Sequence, residues 1–365
     1  MKIHEKYINR CIEIAKNGLG TTAPNPMVGC VIVYNQQIIG EGFTSAYGGN
    51  HAEVNALNSV KDKSLLMQST LYVTLEPCSH FGKTPPCADT IVNHQIPKVV
   101  IGTIDTHSKV AGKGIEKLKA AGCEVMVGIL EDECKAHLRR FFTFHNKKRP
   151  YIILKWAETA DGFIAPKTKS EQKPIWITNE ISRQLVHKWR AEEQAILVGT
   201  NTVSEDNPSL TVRDWTGKDP IRVVLDKDLK LSKTSKVFDD KSDAIVICDE
   251  NESFPITVGQ KKEWSVHSPI KGLPSATFHI INWNLSNAIA KQICDVLYTL
   301  SINSIIIEGG RQTLQTFIDE HLWDEARVFT GNSKFIEGVK APKLYGKLIS
   351  EEKLLDDNLK IYKND

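Results

Sequence analysis

Three short segments in the first 90 residues carry side chains that could bind a transition metal. They are Asn50-His51-Ala52-Glu53, Glu76-Pro77-Cys78 and Pro85-Pro86-Cys87. One imidazole and two thiolates form a ligand set that zinc accepts. Because His51, Cys78 and Cys87 are only three ligands, a fourth tetrahedral position stays open for water, as catalytic zinc requires. The pattern therefore predicts a catalytic zinc site; His80 as a fourth ligand would instead make the site structural.

Glu53 is the residue that would give this metal site a hydrolytic function. It lies two positions after His51, in the first turn of a predicted helix, where its carboxylate can stand beside the metal without binding it. Such a carboxylate can take a proton from zinc-bound water, whose pKa falls to about 7, and pass it to a leaving amine. Zinc deaminases use His-x-Glu followed by Pro-Cys-x-x-Cys. Here eight residues separate the cysteines, so the short-spacing nucleobase and RNA deaminases match imperfectly.

Hydrophobic periodicity indicates the elements that must position these side chains. His51 and Cys87 fall at predicted helix starts, and Cys78 follows a predicted strand. Helices are predicted over 4–17, 51–59, 86–93, 114–120 and 131–144, and strands over 28–34, 37–42, 71–75, 98–103 and 124–128. Strands that alternate with helices of this length predict a three-layer α/β sandwich.

A basic segment, residues 145–150, interrupts this pattern, and we interpret it as a solvated linker. A second α/β unit follows it. Strands are predicted over 151–156, 195–198, 221–225, 244–248, 277–282, 304–307 and 326–330, and helices over 181–190, 285–300 and 313–321. A length of 365 residues suits two domains of roughly 150 residues or more. The predicted domains are residues 1–146 and 150–365.

Composition narrows the classes of function. Lys and Arg number 46 against 44 acidic residues, so no basic surplus favours a nucleic-acid partner. No apolar run approaches the ~18 to 20 residues of a membrane span, and the N-terminus lacks the hydrophobic segment of a signal peptide. Eight cysteines without a secretion signal indicate free or metal-bound thiols in a reducing compartment. We expect a cytoplasmic protein without membrane or nucleic-acid partners; the sequence leaves a homo-oligomer open.

Longer motifs resemble those of the bifunctional riboflavin-biosynthesis deaminase/reductase family. The first half contains Pro24-Asn25-Pro26-x-Val28-Gly29, His51-Ala52-Glu53-Val54 and the block from Thr74 to Cys87. The second half contains Asp161-Gly162, Trp176-Ile177-Thr178, Arg190-Ala191, the block from Asp206 to Arg213, Pro220-Ile221-Arg222 and Glu308-Gly309-Gly310. The resemblance covers essentially the whole chain, and the eight-residue cysteine spacing is typical of this family.

For the first domain the resemblance implies a cytidine-deaminase-like fold and zinc-dependent deamination. The implied substrate is 2,5-diamino-6-(5-phosphoribosylamino)pyrimidin-4(3H)-one, on which zinc-bound hydroxide attacks the ring carbon that carries the exocyclic amine. Matching positions assign substrate contacts to Asn25, His80 and Lys83, of which Lys83 suits a phosphate and Asn25 a pyrimidine edge. Thr44 stands where the family often has histidine, so we expect an altered substrate contact there.

For the second domain the resemblance implies a dihydrofolate-reductase-like α/β fold that uses NADPH. It would reduce the ribosyl chain of the deaminated product to a ribityl chain by hydride transfer to its first carbon. The residues themselves support part of this. The predicted strand 304–307 leads through Gly309-Gly310 into a helix, and such a turn exposes backbone N–H groups to phosphate.

Matching positions also assign the contacts of this second site. Cofactor contacts fall on Glu158, Trp176, Thr202, Asp206, Lys227, Gly310, Arg311, Gln312 and Thr313, and substrate contacts on Pro174, Arg190, Leu210, Arg213 and Glu308. Pro174 stands where serine is common, so only a backbone contact remains there; Glu158 and Lys227 also differ from the commoner residues. Trp176 could instead pack in the core, and Asp206 could cap a turn. No proton donor for the reduction is identified.

Two other functions remain open at this point. One is a nucleobase or tRNA zinc deaminase with an appended non-catalytic module, which the near-neutral charge and the long cysteine spacing disfavour. The other is a scaffold or regulatory binding protein without catalysis, which the intact metal motifs disfavour for the first domain.

Overall fold

The computed structural model describes residues 2–81, 85–106, 112–239, 241–249, 265–266, 276–285 and 288–364. The chain forms two compact units, Met1–Lys148 and Arg149–Asp365, and each is built around its own β-sheet. Among the described residues, no helix combines the length and the apolar character that crossing a bilayer requires.

The first unit contains a five-stranded sheet with the strand order β2-β1-β3-β4-β5. Its strands are β1 (Gly29–Tyr34), β2 (Gln37–Phe43), β3 (Thr70–Leu75), β4 (Lys98–Thr103) and β5 (Glu124–Val127). β1 pairs antiparallel with β2 and β3, whereas β3, β4 and β5 run parallel. The β1–β2 hairpin turns at Asn35 and Gln36, both with positive φ, as two-residue hairpin loops require.

Helices cover both faces of this sheet. They are α1 (Lys2–Ala15), α2 (Ala52–Ser59), α3 (Cys87–Asn93), α4 (Lys113–Ala120), α5 (Glu131–His137) and α6 (Arg139–Lys147). Apolar residues of α2, α3 and α4 pack on one face, and those of α1 and α5 pack on the other. The unit is therefore the α/β/α sandwich that the sequence predicts. The single helix predicted over 131–144 is instead two, because the chain leaves helical geometry at Leu138.

The second unit contains a ten-stranded mixed sheet with the order β11-β12-β10-β9-β8-β13-β6-β14-β17-β16. Its strands are β6 (Tyr151–Glu158), β8 (Ala195–Gly199), β9 (Ile221–Leu225), β10 (Ala244–Asp249), β11 (Ser265–Val266), β12 (Ala276–Ile281), β13 (Ser304–Gly309), β14 (Glu325–Thr330), β16 (Lys347–Leu354) and β17 (Asp357–Lys363). The strands from β12 to β14 in this order are parallel, and antiparallel strands flank them. A separate ribbon pairs β7 (Phe163–Pro166) with β15 (Gly338–Lys340).

Helices also cover both faces of the second sheet. They are α7 (Glu180–Glu192), α8 (Thr200–Asp206), α9 (Ile289–Thr299) and α10 (Arg311–Asp319). α9 and α10 pack on one face and α7 and α8 on the other, so the central parallel strands are buried on both sides. The strands predicted from sequence are all present; α8 and the β16–β17 hairpin are not among the predicted elements.

The segment interpreted as a solvated linker does contain the boundary between the two units, but only part of it is solvated. Residues up to Lys147 belong to α6, and Arg149 is only 7 % exposed. The guanidinium of Arg149 makes two hydrogen bonds to the carboxylate of Asp324, at 2.5 and 2.9 Å. Asp324 also accepts the backbone N–H of Ile152 at 2.9 Å. A buried cation therefore fixes the start of β6, because a charge removed from water needs a partner.

Replacing Asp324 with alanine should destabilise the second unit by about 3–5 kcal/mol, because it leaves the Arg149 charge buried and unpaired. The measurement is denaturant unfolding followed by tryptophan fluorescence, since all seven tryptophans lie in this unit. Lys167→Met is the matched control: it breaks an ion pair with Glu337 in which both side chains are 68 % exposed. That change should cost less than about 1 kcal/mol. Equal effects of the two variants would contradict the role given to the buried pair.

Candidate functional site

The three predicted metal ligands lie at the ends of secondary-structure elements. His51 is the residue before α2, with extended backbone angles, and Cys87 is the first residue of α3. Cys78 lies in the loop between β3 and α3. Helix N-termini concentrate backbone N–H groups, so they stabilise the thiolate form of a nearby cysteine. The backbone N–H of Cys87 points at Cys78 Sγ, at 3.3 Å.

The geometry of these ligands fits zinc. His51 Nδ1 lies 3.2 Å from Cys87 Sγ and 3.6 Å from Cys78 Sγ. Zinc bonds of ordinary length in a tetrahedron place nitrogen and sulfur about 3.6 Å apart. Among the described residues, the group of metal-ligating atoms within 4.8 Å of one another contains only these three side chains. His80 is exposed and outside that group, so the alternative of a four-ligand structural site is not supported.

The electrostatics of the site match its donor set. The hydrogen bond from Cys87, together with His51, lowers the pKa of Cys78, whereas the neighbouring Cys78 and burial raise the pKa of Cys87. Glu53 is buried, with 4 % of its surface exposed. Burial, reinforced by Cys78, raises the pKa of Glu53 to about 7. A carboxyl group with such a pKa can accept and release a proton near neutral pH.

Glu76 is a buried carboxylate to which the sequence motifs assign no role. It is 3 % exposed and accepts four backbone N–H groups, from Asp105, Gly112, Gly114 and Ile115, at 2.9 to 3.3 Å. These bonds tie the chain just before Cys78 to the start of α4. A Cβ on Gly114 would lie 2.0 Å from the carbonyl oxygen of Pro77, so only glycine permits this approach. Glu76 therefore positions a metal ligand through the backbone.

The substrate residues predicted for the first unit differ in placement. Asn25 is half-buried in the loop before β1, and His137 Nε2 bonds the carbonyl of Met27 in the same loop at 2.9 Å. Lys83 lies outside the described residues. Thr44 is buried, and its hydroxyl accepts the backbone N–H of Val28 at 3.1 Å. Thr44 therefore braces the Asn25 loop, and the altered substrate contact expected at this position stays a prediction.

A large cleft of about 1700 Å³ opens in the second unit, at the carboxyl ends of its central parallel strands. It is lined by nearly all the residues predicted for the second site: Trp176, Thr202, Asp206, Lys227, Gly310, Arg311, Gln312, Thr313, Pro174, Arg190, Leu210, Arg213 and Glu308. Glu158 is the exception. It does not line the cleft, and its carboxylate accepts the indole N–H of Trp156 at 2.9 Å.

The glycine turn predicted from sequence forms one wall of the cleft. β13 ends at Gly309, and Gly310 is the residue before α10. The helix therefore begins at Arg311, two residues earlier than predicted, and its first residues line the cleft. The first N–H groups of a helix have no partner within it and can bind a phosphate. Thr202 approaches from α8: a Cβ on Gly310 would lie 3.3 Å from its Oγ1. This arrangement suits a phosphate group of a nucleotide.

Four charged side chains line one part of the cleft: Lys155, Arg190, Arg213 and Glu308. Glu308 accepts two hydrogen bonds from Arg190, at 2.9 and 2.7 Å, and lies 3.8 Å from Lys155 Nζ. Burial raises the pKa of Glu308, but the nearby charges of Arg190 and Lys155 outweigh this effect and lower the pKa to about 2. Burial also lowers the pKa of Lys155. Arg213 lines the same cleft. Sequence reasoning missed Lys155, which lies in β6 without any motif around it.

Two alternative interpretations can be settled from these contacts. Trp176 is 56 % exposed, with the guanidinium of Arg183 4.6 Å from its ring centre, so it is not a core residue. Asp206 is the last residue of α8 and forms an ion pair with Lys169. Its carboxylate therefore contacts a cation beside the cleft rather than capping the following turn.

Two known families match the chain. The family described as the RibD C-terminal domain matches residues 150–355. The family described as the cytidine and deoxycytidylate deaminase zinc-binding region matches residues 1–103. The second match contains the three candidate zinc ligands.

Individual proteins match over the full length. The riboflavin biosynthesis protein RibD of Aquifex aeolicus is 38% identical over 99% of this chain and 94% of its own length. The RibD protein of Bacillus amyloliquefaciens is 37% identical over 94% of this chain and 88% of its own length. A solved diaminohydroxyphosphoribosylaminopyrimidine deaminase/5-amino-6-(5-phosphoribosylamino)uracil reductase of Thermotoga maritima is 35% identical, with a TM-score of 0.84 and coverage of 100% and 99% of the two chains. Acinetobacter baumannii RibD is 32% identical, with a TM-score of 0.85 and the same coverage.

Replacing Glu53 with glutamine should abolish most deaminase activity and leave the zinc content unchanged. The amide cannot take up a proton as the carboxylate does, and loss of a positioned acid/base group lowers rates by ~10²- to 10⁴-fold. Activity assays and elemental analysis of the purified variant measure the two effects. Cys78→Ser is the companion variant, which should lose both metal and activity. Full deaminase activity in the Glu53 variant would refute its role.

Proposed function

The chain belongs to the RibD family of bifunctional riboflavin-biosynthesis proteins, and from this premise we propose which of its residues carry out each reaction. It is a zinc-dependent deaminase and an NADPH-dependent reductase. The alternative of a nucleobase or tRNA deaminase with a non-catalytic module is not favoured, because the matching relatives span both units. One observation supports the assignment of chemistry above the others: among the described residues, three zinc-type ligands and no fourth lie together, with the buried Glu53 beside them.

In the proposed scheme residues 1–146 act first and residues 150–365 act second. The first substrate is 2,5-diamino-6-(5-phosphoribosylamino)pyrimidin-4(3H)-one, and the deaminated product is then reduced at its ribosyl chain. The name of the Thermotoga maritima protein, which is similar over the whole chain, supports both substrates. A cytoplasmic location is part of the proposal. It is supported by the eight cysteines, none of which forms a disulfide, as expected in a reducing compartment.

For deamination, His51, Cys78 and Cys87 would hold the metal. When bound, zinc supplies Lewis acidity at the position that the three ligands leave open. Glu53 takes a proton from the attacking water and delivers it to the leaving amine, a double role that its raised pKa favours. Asn25 and His80 would contact the pyrimidine, and Lys83 the phosphate, as charge and hydrogen-bonding capacity suggest.

For reduction, the cofactor would occupy the wall of the cleft formed by the glycine turn and α8. Gly310, Arg311, Gln312 and Thr313 would bind its phosphates through the start of α10. Thr202, Asp206, Trp176, Lys227 and Glu158 complete the cofactor contacts carried over from the family, and Glu158 has the weakest support because it lies off the cleft. Pro174, Arg190, Leu210, Arg213 and Glu308 would bind the substrate.

Lys155 is the proposed proton donor of the reduction. Hydride addition to the first ribosyl carbon breaks its bond to the ring oxygen, and that oxygen then needs a proton. Lys155 lines the cleft beside Glu308 and carries the pKa, lowered by burial, that makes an ammonium group a better acid. Arg190 cannot donate this proton, because an arginine side chain stays protonated. Its guanidinium is also bound by both oxygens of Glu308.

The function is tested by incubating the purified protein with the phosphoribosylated diaminopyrimidinone, with and without NADPH, and measuring the mass of the product. Without NADPH we expect only the exchange of one amino group for oxygen. With NADPH we expect in addition the gain of two hydrogens and a loss of NADPH absorbance. A substrate that keeps its amino group under both conditions would contradict the deaminase assignment, and a deaminated product that is never reduced would contradict the reductase assignment.

Lys155→Met should lower the reductase kcat by ~10²-fold or more, because the methionine fills the same space without a proton to donate. Deaminase activity, which belongs to the other unit, should stay unchanged, and denaturant unfolding followed by tryptophan fluorescence reports that the mutated unit is folded. The exposed Lys167 also lines the cleft, so Lys167→Met is the matched control and should keep reductase activity. Normal reduction by the Lys155 variant would exclude it as the donor.

A further inference from the structure

His187 is a buried titratable residue of the reductase cleft to which no role has been given above. It lies on α7, three residues before Arg190, and its side chain is on the same face of the helix. It is 3 % exposed and borders the cleft. Its Nδ1 accepts the backbone N–H of Arg213 at 3.0 Å, and its Nε2 lies 3.5 Å from the carboxylate of Asp214. The ring therefore contacts the segment that carries a proposed substrate arginine.

Side chains hold the segment around Arg213 in place, since it belongs to neither a helix nor a strand. Arg190 donates to the carbonyl of Thr211 at 3.3 Å, Asp219 accepts the N–H of Val212 at 2.6 Å, and His187 accepts the next N–H. These are three consecutive residues with three different anchors. Two of the anchors come from one face of α7, so the helix and the segment are held together as one wall of the cleft.

The segment needs such anchors because its backbone is strained. Leu210 adopts a left-handed conformation with φ 56°, which is unfavourable for a branched side chain. Its side chain is nonetheless buried in the core under α7. A strained backbone persists only where its surroundings hold it, and such sites are concentrated around ligands. The hydrogen bonds from Arg190 and His187 on α7 hold the backbone in place immediately after Leu210.

The charges around His187 keep it neutral. Burial, reinforced by Arg190 and Arg213, lowers its pKa to about 4, against the opposing effects of Asp214 and Glu308. A neutral imidazole that accepts at Nδ1 carries its proton at Nε2, on the side of Asp214. Arg213 donates to Thr211 Oγ1 through Nη1, at 3.3 Å. Its Nη2 lies 3.5 Å from His187 Nε2, so His187 contacts both the backbone and the guanidinium of Arg213.

We propose that His187 is a positioning residue of the reductase, which holds Arg213 in the orientation that binds the phosphate of the substrate. This rests on the proposed function, in which Arg213 contacts the substrate. Glu308 already engages the guanidinium of Arg190 with both oxygens, so Arg213 is the arginine of this pair with capacity left for an anion. The side-chain contacts of His187 go to Arg213 and Asp214, which places its role at the phosphate end of the substrate. Its loss weakens binding of a phosphorylated substrate and leaves the hydride step unaltered.

The test compares two substrates in the full-length protein. One is the deaminated substrate, 5-amino-6-(5-phosphoribosylamino)uracil, and the other is the same compound after removal of its phosphate. His187→Leu should raise KM for the phosphorylated substrate about tenfold, because a buried N–H loses its acceptor. Its kcat, the KM for NADPH and KM for the phosphate-free substrate should stay at the wild-type values. Denaturant unfolding followed by tryptophan fluorescence shows that the reductase unit is folded, since all seven tryptophans lie in it.

Three further variants separate positioning from general packing. Asparagine offers an oxygen near the place of Nδ1, so His187→Asn should restore most of the affinity, whereas His187→Gln places its oxygen farther out and should not. Asp214→Asn is the matched control: it changes the partner of Nε2, an exposed carboxylate, and leaves the Nδ1 bond intact. It should behave as wild type. If His187→Leu does not fold, the asparagine and glutamine variants carry the comparison.

The outcomes distinguish this inference from the function on which it rests. A wild-type protein that does not reduce the phosphorylated substrate would overturn the proposed function itself. If the wild type is active, an unchanged KM in the leucine and glutamine variants would overturn the role of His187. An equal loss with both substrates, or a fall in kcat without a change in KM, would also overturn it.

Discussion

Buried carboxylates, and the partners that a buried charge requires, determine how both sites are built. An ionised carboxyl group removed from water is costly unless hydrogen bonds or cations compensate it. Glu76 is compensated by four backbone N–H groups, and this fixes the chain next to Cys78. Glu308 is compensated by Arg190 and Lys155, and this fixes α7 and β6 against β13. In each unit, satisfying one carboxylate brings together elements that are distant in the sequence and places the reactive groups.

Much of the fold follows from local patterns, and the exceptions have physical reasons. The central strands are apolar on both faces, so continuous hydrophobic runs reveal them. β16 is almost entirely exposed, so it lacks the buried alternation by which a strand is recognised. The segment before β6 reads as polar, yet Arg149 is buried, because Asp324 supplies a partner that lies far along the chain. A charge pattern alone cannot show whether such a partner exists.

The two sites were predictable to different degrees. Residue type and spacing were enough to find His51, Cys78, Cys87 and Glu53, since few combinations of side chains bind zinc. In the reductase cleft, resemblance to a family located most residues, but it did not reveal Lys155 or the contacts of His187. These depend on which side chains face one another across β6, α7 and the segment near Arg213, and no local pattern encodes that. Glu158 shows the opposite error: its position in the sequence matches a cofactor contact of the family, but the residue does not line the cleft.

The same side chain serves opposite purposes in the two units because its surroundings differ. No arginine or lysine neutralises Glu53 among the groups that shift its pKa, so burial raises that pKa to about 7 and the group can exchange protons. The Glu308 side chain is 8% exposed, but two cations lower its pKa to about 2, so it stays ionised and cannot act as an acid near neutral pH. Glu308 therefore does not supply the proton in the proposed reduction, and of its two cationic partners Lys155 is the one that can release a proton.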